Sequence, residues 1–535
     1  WAPNEKVAME VAFGASVGGS RSFCGMKHVG MNVAADPLFT MSYTGVGAGL
    51  VIGVADDAGM HSSQNEQDSR NYAIAAKLPM LEPSDSEEAL EFTKLAFRLS
   101  EEYDTPVLLK MCTRVSHSQS LVETSEPVVP EIKEYVKNPA KYIMMPGFAR
   151  LRHPVVEERM RLLTEYAETT PLNRVEKTSK ELGIITSSTS YQYVKEVFGE
   201  SVSVLKLGMA NPLPERLIKD FASYVDRLVV VEELDGIIER HVKSLGIAVS
   251  GKDIFPLLDE FSQNLVAEKL GGKPASGKTL GENLPVRPPV MCAGCPHRGV
   301  FYTLAKHKLT VFGDIGCYTL GAQAPLSAID TTLCMGTSIS GLHGFNKAGG
   351  RKHETSSVAV IGDSTFMHSG ITGLIDTIYN GSAGTILILD NSITGMTGHQ
   401  ENPVTGHTIK GDPAPAADIP ALCRALGVKR VRVVDPYDLK ALDLAVKEEL
   451  EAPEVSVIIT QRPCVLLKYV KPKPPLAVDP EKCKSCKACM KIGCPAISMK
   501  DGKARVDQTL CVGCGVCEGL CAFGAFISNE GGASK

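Results

Sequence analysis

The sequence predicts an α/β protein: successive doubly wound parallel-sheet domains, closed at the carboxyl end by a small α+β domain. Three observations carry this. On either side of the Gly-, Pro- and Lys-rich stretch Gly251 to Pro289, short apolar runs alternate with helical patterns, the signature of parallel sheets joined by crossover helices. The run Ser357-Val-Ala-Val-Ile361 is followed by Gly362-Asp363-Ser364, a helical pattern from about His368 to Asn380 and a second run Thr385 to Leu389, which together read as a βαβ unit. Near the end, eight cysteines fall into two quartets separated by a strand, turn and strand.

Taken in order, residues 1–165 form a first α/β domain, which ends where the pattern turns charged and helical between 145 and 170. Gly183 to Ser188 then starts a new strand and turn, so 166–285 reads as a second α/β domain plus linker, and 286–467 as a third. Residues 468–476, which include the run KYVKPKPP, are an extended, semi-rigid spacer. The cysteine domain occupies 477–535. Within the linker, Gly272 to Thr279 matches the phosphate-loop pattern G-x4-G-K-[ST] letter for letter. Its context is wrong, because a phosphate cradle needs a buried strand before it and a helix opening at Lys-Thr. Ala267 to Leu270 instead look helical, and Gly281 and Pro285 follow at once; a flexible linker is the better reading.

At 535 residues, with 44% apolar content and a net charge of -5, the chain has ample material for several cores. No apolar run reaches the length of a membrane span and no basic-then-apolar leader opens the sequence, so a cytoplasmic location is the default. Half of the 16 cysteines lie in the terminal domain and the rest are scattered, as expected of a reducing compartment. Mild acidity without a basic stripe gives no reason to invoke nucleic acid.

The quartets read Cys483-x2-Cys486-x2-Cys489-x4-Cys494-Pro495 and Cys511-x2-Cys514-x2-Cys517-x3-Cys521. Three thiolates spaced by two residues wrap one [4Fe–4S] cubane, while the fourth cysteine of such a run reaches the other cluster. Cluster one is thus assigned Cys483, Cys486, Cys489 and Cys521, and cluster two Cys511, Cys514, Cys517 and Cys494. Zinc takes paired cysteines and disulfides suit short secreted chains, so both fit less well. The first quartet departs by one residue before Cys494. Ile497 to Lys500, the turn Asp501-Gly502 and Ala504 to Asp507 form the hairpin between the cluster loops. Lys482, Lys484, Lys487 and Lys491 surround the first loop and read as a solvated face, with docking of an acidic redox partner as the alternative.

In an open parallel sheet, ligands sit at the carboxyl ends of the strands, where Asp363 and Asn391 emerge. A carboxylate, an amide oxygen and a main-chain carbonyl such as that of Ile393 are suitable hard ligands for Mg²⁺, which completes its shell with phosphate oxygens and water. The helix amino terminus after Ser364 faces the same anion. The plain alternative is a Gly-Asp turn and a capping Asn. Together, a Gly-Asp and an Asn 28 residues later resemble the thiamine diphosphate motif.

The resemblance extends over nearly the whole chain. Cys292-Ala-Gly-Cys295-Pro-His297-Arg298, Asp314-Ile-Gly-Cys317, Cys334-Met-Gly336, Gly362 to Gly370 and Asp390 to Gln400 resemble the cofactor domain of 2-oxoacid:ferredoxin oxidoreductases, most closely the large, or alpha, subunit of the indolepyruvate branch. Met26 to Pro37, Met60 to Arg70 and Arg114-Val-Ser-His117 resemble its amino-terminal domain. The implied fold is transketolase-like: a pyrimidine-side thiamine diphosphate domain at 1–165, a transketolase C-terminal-like domain at 166–285, the diphosphate and Mg²⁺ domain at 286–467 and a two-cluster ferredoxin-like domain at 477–535. Cys292, Cys295, Cys317, Gly362, Asp363, Ser364, Asn391 and Ile393 are the implied cofactor-binding residues, with Asp363, Asn391 and Ile393 on Mg²⁺.

The resemblance also gives Glu5 a catalytic role: a glutamate against the aminopyrimidine ring favours the tautomer that removes the thiazolium proton. By local sequence alone Glu5 is a first-turn glutamate matched to the helix dipole. The family carries a strand, a Pro-Gly-Thr-Pro loop and a helix ahead of this residue; the sequence begins at Trp1, so substrate contacts from that loop are not assigned. His297 is the second catalytic candidate, and His28 and His61 also lie in family motifs, although a lone histidine is more often a structural hydrogen-bonding group. The pair Cys292 and Cys295 also has a redox or half-zinc reading. Asp56 and Asp57 end a strand and read as caps.

The implied reaction is oxidative decarboxylation of an arylpyruvate with CoA, the electrons passing through two [4Fe–4S] clusters to ferredoxin. The implied partners are a smaller beta subunit, in an alpha2beta2 complex, and ferredoxin itself. Three alternatives stay open: the same chemistry on another 2-oxo acid, a non-oxidative thiamine diphosphate decarboxylase or ligase, and an electron-transfer or scaffold subunit.

Overall fold

The computed structural model describes residues 1–275, 277, 284–285 and 287–528. It divides into two compact units, one formed by Asn4–Glu282 and the other by Trp1–Pro3 with Asn283–Lys535.

The first unit holds two sheets. One has the order β1 (Ser22–Lys27), β2 (Leu50–Asp56), β4 (Val107–Cys112), β3 (Met80–Leu81) and β8 (Met209–Asn211). Its strands are parallel except for β8, which returns antiparallel beside β3. The sheet therefore recruits a strand from beyond residue 165. The second sheet has the order β5 (Arg174–Glu176), β7 (Ser203–Leu207), β6 (Gly183–Ser187) and β9 (Leu228–Val231), with β5 as its antiparallel edge. Strand β2 reads as an unbroken apolar run because both of its faces are covered: Leu50, Ile52 and Val54 join one core, while Val51 joins the other with Phe92 and Leu99. The charged stretch expected between 145 and 170 is the helix Pro146–Ala167. Helix Gln263–Leu270 leads into the phosphate-loop look-alike, of which Ser276, Lys278 and Thr279 lie outside the described residues.

The second unit is built on five parallel strands in the order β10 (Thr310–Phe312), β11 (Ser357–Gly362), β12 (Gly384–Asp390), β14 (Val455–Gln461) and β13 (Arg430–Val434). Alternate residues feed opposite cores. Val358, Val360, Leu387 and Leu389 pack under helices His297–His307 and Leu439–Leu450, whereas Ala359, Ile361, Ile386 and Ile388 pack under Thr337–Gly349 and Ile371–Tyr379. Each fully buried aliphatic side chain contributes about 1.5–3 kcal/mol, so helices are retained on both faces and the sheet is doubly wound.

The cysteine domain has two antiparallel pairs, β15 (Leu476–Val478) with β18 (Phe526–Ser528) and β16 (Ile497–Lys500) with β17 (Lys503–Val506). The second strand of the hairpin starts one residue earlier than its sequence suggests. The domain is seated on the α/β body. Arg298 donates to the carbonyl of Ile492 at 3.2 Å and to that of Gly493 at 2.5 Å. The proline-lysine segment before β15 lies along the cluster-two loop, Lys473 N–H donating to Val512 at 3.1 Å.

Candidate active site

Strands β11 and β12 are neighbours, with Gly362 opposite Leu389, so their carboxyl ends bring Asp363 and Asn391 to one edge. The helix starts earlier than the sequence suggests: Asp363–Thr365 is already helical, and Phe366–Gly370 forms a π turn before Ile371–Tyr379 continues. Such turns concentrate at functional sites. Asp363 is buried, 2% exposed. Its Oδ1 accepts from Ser364 N–H at 2.7 Å, and Oδ2 has no hydrogen-bond partner among the described residues. Burial and the nearby Asp390 carboxylate push its pKa up to about 8, against the pull of main-chain N–H groups of Ser364, Ser392 and Ile393. An orphaned carboxylate oxygen in a dry site calls for a cation, and a divalent metal bound to phosphate oxygens fits that demand.

Asn391 places Nδ2 3.4 Å from Nε2 of His297. Burial lowers the His297 pKa to about 4, so its imidazole is neutral and Nε2 accepts. That contact engages the amide nitrogen of Asn391 and leaves its oxygen outside it. His297 is 3% exposed and packs edge-on against Tyr318 at 6.0 Å. A β-carbon on Gly362 would stand 2.6 Å from Cε1 of Tyr318, so this glycine makes room for a ring. The amide N–H of Ile393 acts on the Asp363 carboxylate. Ser364 Oγ accepts from Thr394 at 2.9 Å, which ties the two strand-end loops together. Asp314, buried at the end of β10, takes N–H bonds from Gly336 and Ser338 at 2.9 and 3.1 Å and fixes the start of helix Thr337–Gly349.

The structure brings Cys292, Cys295 and Cys317 together with Cys464, which the sequence did not single out. Cys292 and Cys464 lie within electrostatic reach of each other and of both Cys295 and Cys317. Cys464 N–H donates to Asn391 at 2.9 Å, and a β-carbon on Gly395 would touch Cys317 Sγ at 3.5 Å. Cys295 accepts the N–H of His297, and Cys464 that of Leu466. The same i to i+2 pattern recurs in the cluster domain, where Cys483 accepts from Ser485 and Cys514 from Val516. Burial pushes the Cys295 thiol up to about 12, so a metal is needed to hold it as thiolate.

In the cysteine domain the thiols group in the two crossed sets. Cys489 has Cys486, Cys483 and Cys521 as electrostatic neighbours, and Cys517 has Cys514, Cys494 and Cys511. Cys483, Cys486, Cys489 and Cys521 line one cavity, and Ala504 and Ala525 donate N–H bonds to Cys483 and Cys521 at 3.5 and 3.4 Å. No set of three or more His, Cys, Asp or Glu side chains among the described residues converges on a single ion. The cluster-two loop abuts the Cys292–Cys295 loop, where a β-carbon on Gly294 would stand 2.2 Å from Val512.

In the other unit, Glu5 opens the helix Glu5–Val17, and Asn4 caps it by accepting from Val7 N–H at 2.9 Å. The carboxylate lies over Gly30, in helix His28–Val33. His28 is fully buried, its ring nitrogens 3.3 and 3.2 Å from the carbonyls of Ala55 and Asn65. His61 is exposed and meets Glu260 at 3.3 Å. Asp57 does cap, accepting from Ser62, Ser63 and Thr113, whereas Asp56 belongs to a buried ionic network with Lys110 and Ser69.

Residues 2–181 match the family model of pyruvate flavodoxin/ferredoxin oxidoreductase, thiamine diP-bdg, and residues 314–460 that of thiamine pyrophosphate enzyme, C-terminal TPP binding domain. The chain is 39% identical to Indolepyruvate oxidoreductase subunit IorA of Archaeoglobus fulgidus, over 97% of this chain and 88% of the relative. It is 41% identical to the IorA of Methanothermobacter thermautotrophicus, over 99% and 89%. For the IorA of Pyrococcus horikoshii the identity is 40%, over 98% and 89%. The chain belongs to the IorA family. As an IorA-family protein it is a thiamine diphosphate-dependent 2-oxoacid:ferredoxin oxidoreductase subunit. Membership also accounts for the transketolase-like sheets and implies a partner subunit. Among the described residues no helix is long and apolar enough to cross a membrane.

Proposed function

We propose that this subunit oxidatively decarboxylates arylpyruvates, indolepyruvate and related 2-oxo acids, to arylacetyl-CoA and CO₂. One 2-oxo acid, as its carboxylate, and one CoA thiol give one acyl thioester, one CO₂, one proton and two electrons, which leave singly through [4Fe–4S] clusters to ferredoxin. The single observation that carries this reading is the buried, half-unsatisfied Asp363 beside a run of grouped thiols leading into the cluster domain.

Bound thiamine diphosphate would supply the electron sink for loss of CO₂. Asp363 and Asn391 would hold its Mg²⁺, with the first helical turn at Ser364 facing the diphosphate. His297, through its contact with the Asn391 amide nitrogen, would keep the Asn391 oxygen turned to that metal. Glu5 would exchange a proton with the aminopyrimidine ring. We read Cys483, Cys486, Cys489 and Cys521 as ligands of cluster one, and Cys511, Cys514, Cys517 and Cys494 as ligands of cluster two. Cys295 and Cys464 share the hydrogen-bond pattern seen in those quartets, and with Cys292 and Cys317 they would fit a third cubane, set between the diphosphate site and cluster two. A smaller beta subunit in an alpha2beta2 assembly would complete the enzyme in the cytoplasm.

The test is dye reduction by the anaerobically assembled complex across a panel of 2-oxo acids, with and without CoA. Arylpyruvates should dominate and CoA should be required. CO₂ release without dye reduction would establish the non-oxidative alternative, and preference for an aliphatic 2-oxo acid would move the substrate class.

A further inference from the structure

The two cluster loops have the same cysteine spacing and opposite surroundings. Between the thiols of cluster two stand Val512, Gly513, Gly515 and Val516, and this loop is packed inward: Val512 lies against Gly294, and Gly513 against Lys473 and Pro474. Between the thiols of cluster one stand Lys484, Ser485, Lys487 and Ala488. Lys482, Lys484, Lys487 and Lys491 are all exposed; the acids beside them are Glu481 and Asp479, the latter 3.7 Å from Lys482, in a chain whose net charge is -5. Cys486 is the exposed thiol of its set. Lys484, Lys487 and the 47% exposed ring of Phe523 line the cavity that the four thiols share, so the lysines reach from the surface to the wall of the redox site.

A solvated face needs no such arrangement. Lysines interleaved with redox thiols, around one exposed aromatic ring, form a small patch with an apolar centre and a cationic rim. Electron-transfer encounters use small interfaces, below about 1,200 Å², and charge complementarity steers them more than it holds them. Charge also commits the partner: a protein acidic around its own redox centre gains the steering, and a basic or neutral one does not. We propose that the face around Cys483–Cys489, with Lys482, Lys484, Lys487, Lys491 and Phe523, docks an acidic one-electron carrier protein. Each encounter moves one electron from reduced cluster one to the oxidised carrier without a proton, so two encounters clear one substrate. The proposal rests on the reading that these thiols hold a cluster at the electron exit.

The experiment compares the holoenzyme complex with two charge-reversal variants, Lys482→Glu/Lys491→Glu, which flank the thiols, and Lys484→Glu/Lys487→Glu, which interleave them. The probes are an acidic two-cluster ferredoxin and, as a small acceptor that needs no protein face, methyl viologen. Raising salt from about 0.01 to about 0.15 M shortens the Debye length from about 30 to about 8 Å, and the wild-type second-order rate with ferredoxin should fall tenfold or more. In the flanking variant the low-salt rate should drop by a similar factor and the salt slope should flatten, with iron content and the viologen rate unchanged. Ferredoxin reduction at wild-type rate and slope in both iron-replete variants overturns the proposal, as does a salt-independent wild-type rate. Cys486→Ser separates the two levels: wild-type ferredoxin reduction after loss of cluster one would overturn the exit reading itself, whatever the lysines do.

Discussion

A β-carbon on Gly30 would stand 2.5 Å from Cγ of Glu5 and 2.8 Å from its Oε1, so the glutamate rests directly on the main chain of a neighbouring helix. Helix capping by Asn4 fixes the backbone of Glu5, and Gly30 fixes where its carboxylate goes.

That support can be tested apart from the carboxylate itself. Glu5→Gln keeps the shape but cannot exchange a proton, so thiamine diphosphate should still bind while thiazolium C2 proton exchange falls about a hundredfold or more. Gly30→Ala keeps the carboxylate and must move it by the clash just described. Exchange should fall in this variant too, with iron content and ferredoxin reoxidation of pre-reduced clusters unchanged. Normal exchange in Glu5→Gln would return Glu5 to a first-turn glutamate stabilised by the helix dipole.

Asp363 makes a pH prediction. Its folded pKa is raised to about 8, above the unfolded value of about 3.9, so between those values the folded chain binds the extra proton. Stability of the metal-free protein should therefore fall as pH rises from about 4 to about 8 and level off beyond. Asp363→Asn removes the titration and should flatten that slope while abolishing Mg²⁺ and thiamine diphosphate binding. Thermal unfolding of both proteins across this range, with cofactor binding by calorimetry, checks it; an equal slope in the variant would assign the pH dependence elsewhere.

His297 titrates the other way. Its folded pKa of about 4 lies below the ordinary value, so stability from keeping it neutral is complete above about pH 6.5 and is lost as pH falls towards 4. His297→Gln retains an amide oxygen to accept from Asn391 and should remove that acid-side loss while keeping measurable cofactor affinity. His297→Ala leaves Asn391 unheld and should weaken Mg²⁺-dependent thiamine diphosphate binding by about tenfold, as for loss of a group that orients a metal ligand.

The sheets were legible because they are buried on both faces: Ser357–Gly362 and Gly384–Asp390 are runs of apolar residues that no helix period explains, and the acid and amide at their ends follow from strand polarity. The crossed grouping of the quartet thiols was legible because it follows local spacing. What stayed hidden depends on packing between distant segments. The helix start was placed late because a π turn leaves no mark in hydrophobic period. The close approach of Tyr318 to Gly362 joins segments over forty residues apart and leaves no local mark. His28 sits in a family motif, yet two main-chain carbonyls occupy its ring nitrogens. Cys464 follows β14 as a lone cysteine, and only the parallel sheet brings it beside Cys317, far earlier in the chain.

Cys464 gives the last prediction. Two quartets alone imply about eight irons per chain, and a third set of four thiols raises this to about twelve. Cys464→Ser removes a thiol that no local motif contains, in a loop whose main chain is already fixed by the Cys464 N–H bond to Asn391. Iron should drop to about eight, with both cluster-domain signals retained in low-temperature electron paramagnetic resonance. Thiamine diphosphate should still bind, since Asp363 and Asn391 are untouched, and CO₂ release in a single turnover should persist. Ferredoxin reduction should fail, because the set being dismantled lies between the diphosphate loops and the cluster-two loop at Gly294 and Val512. About eight irons in the wild type, with full ferredoxin reduction in Cys464→Ser, would leave these four cysteines as cofactor-pocket thiols and require a direct step from the cofactor to cluster two.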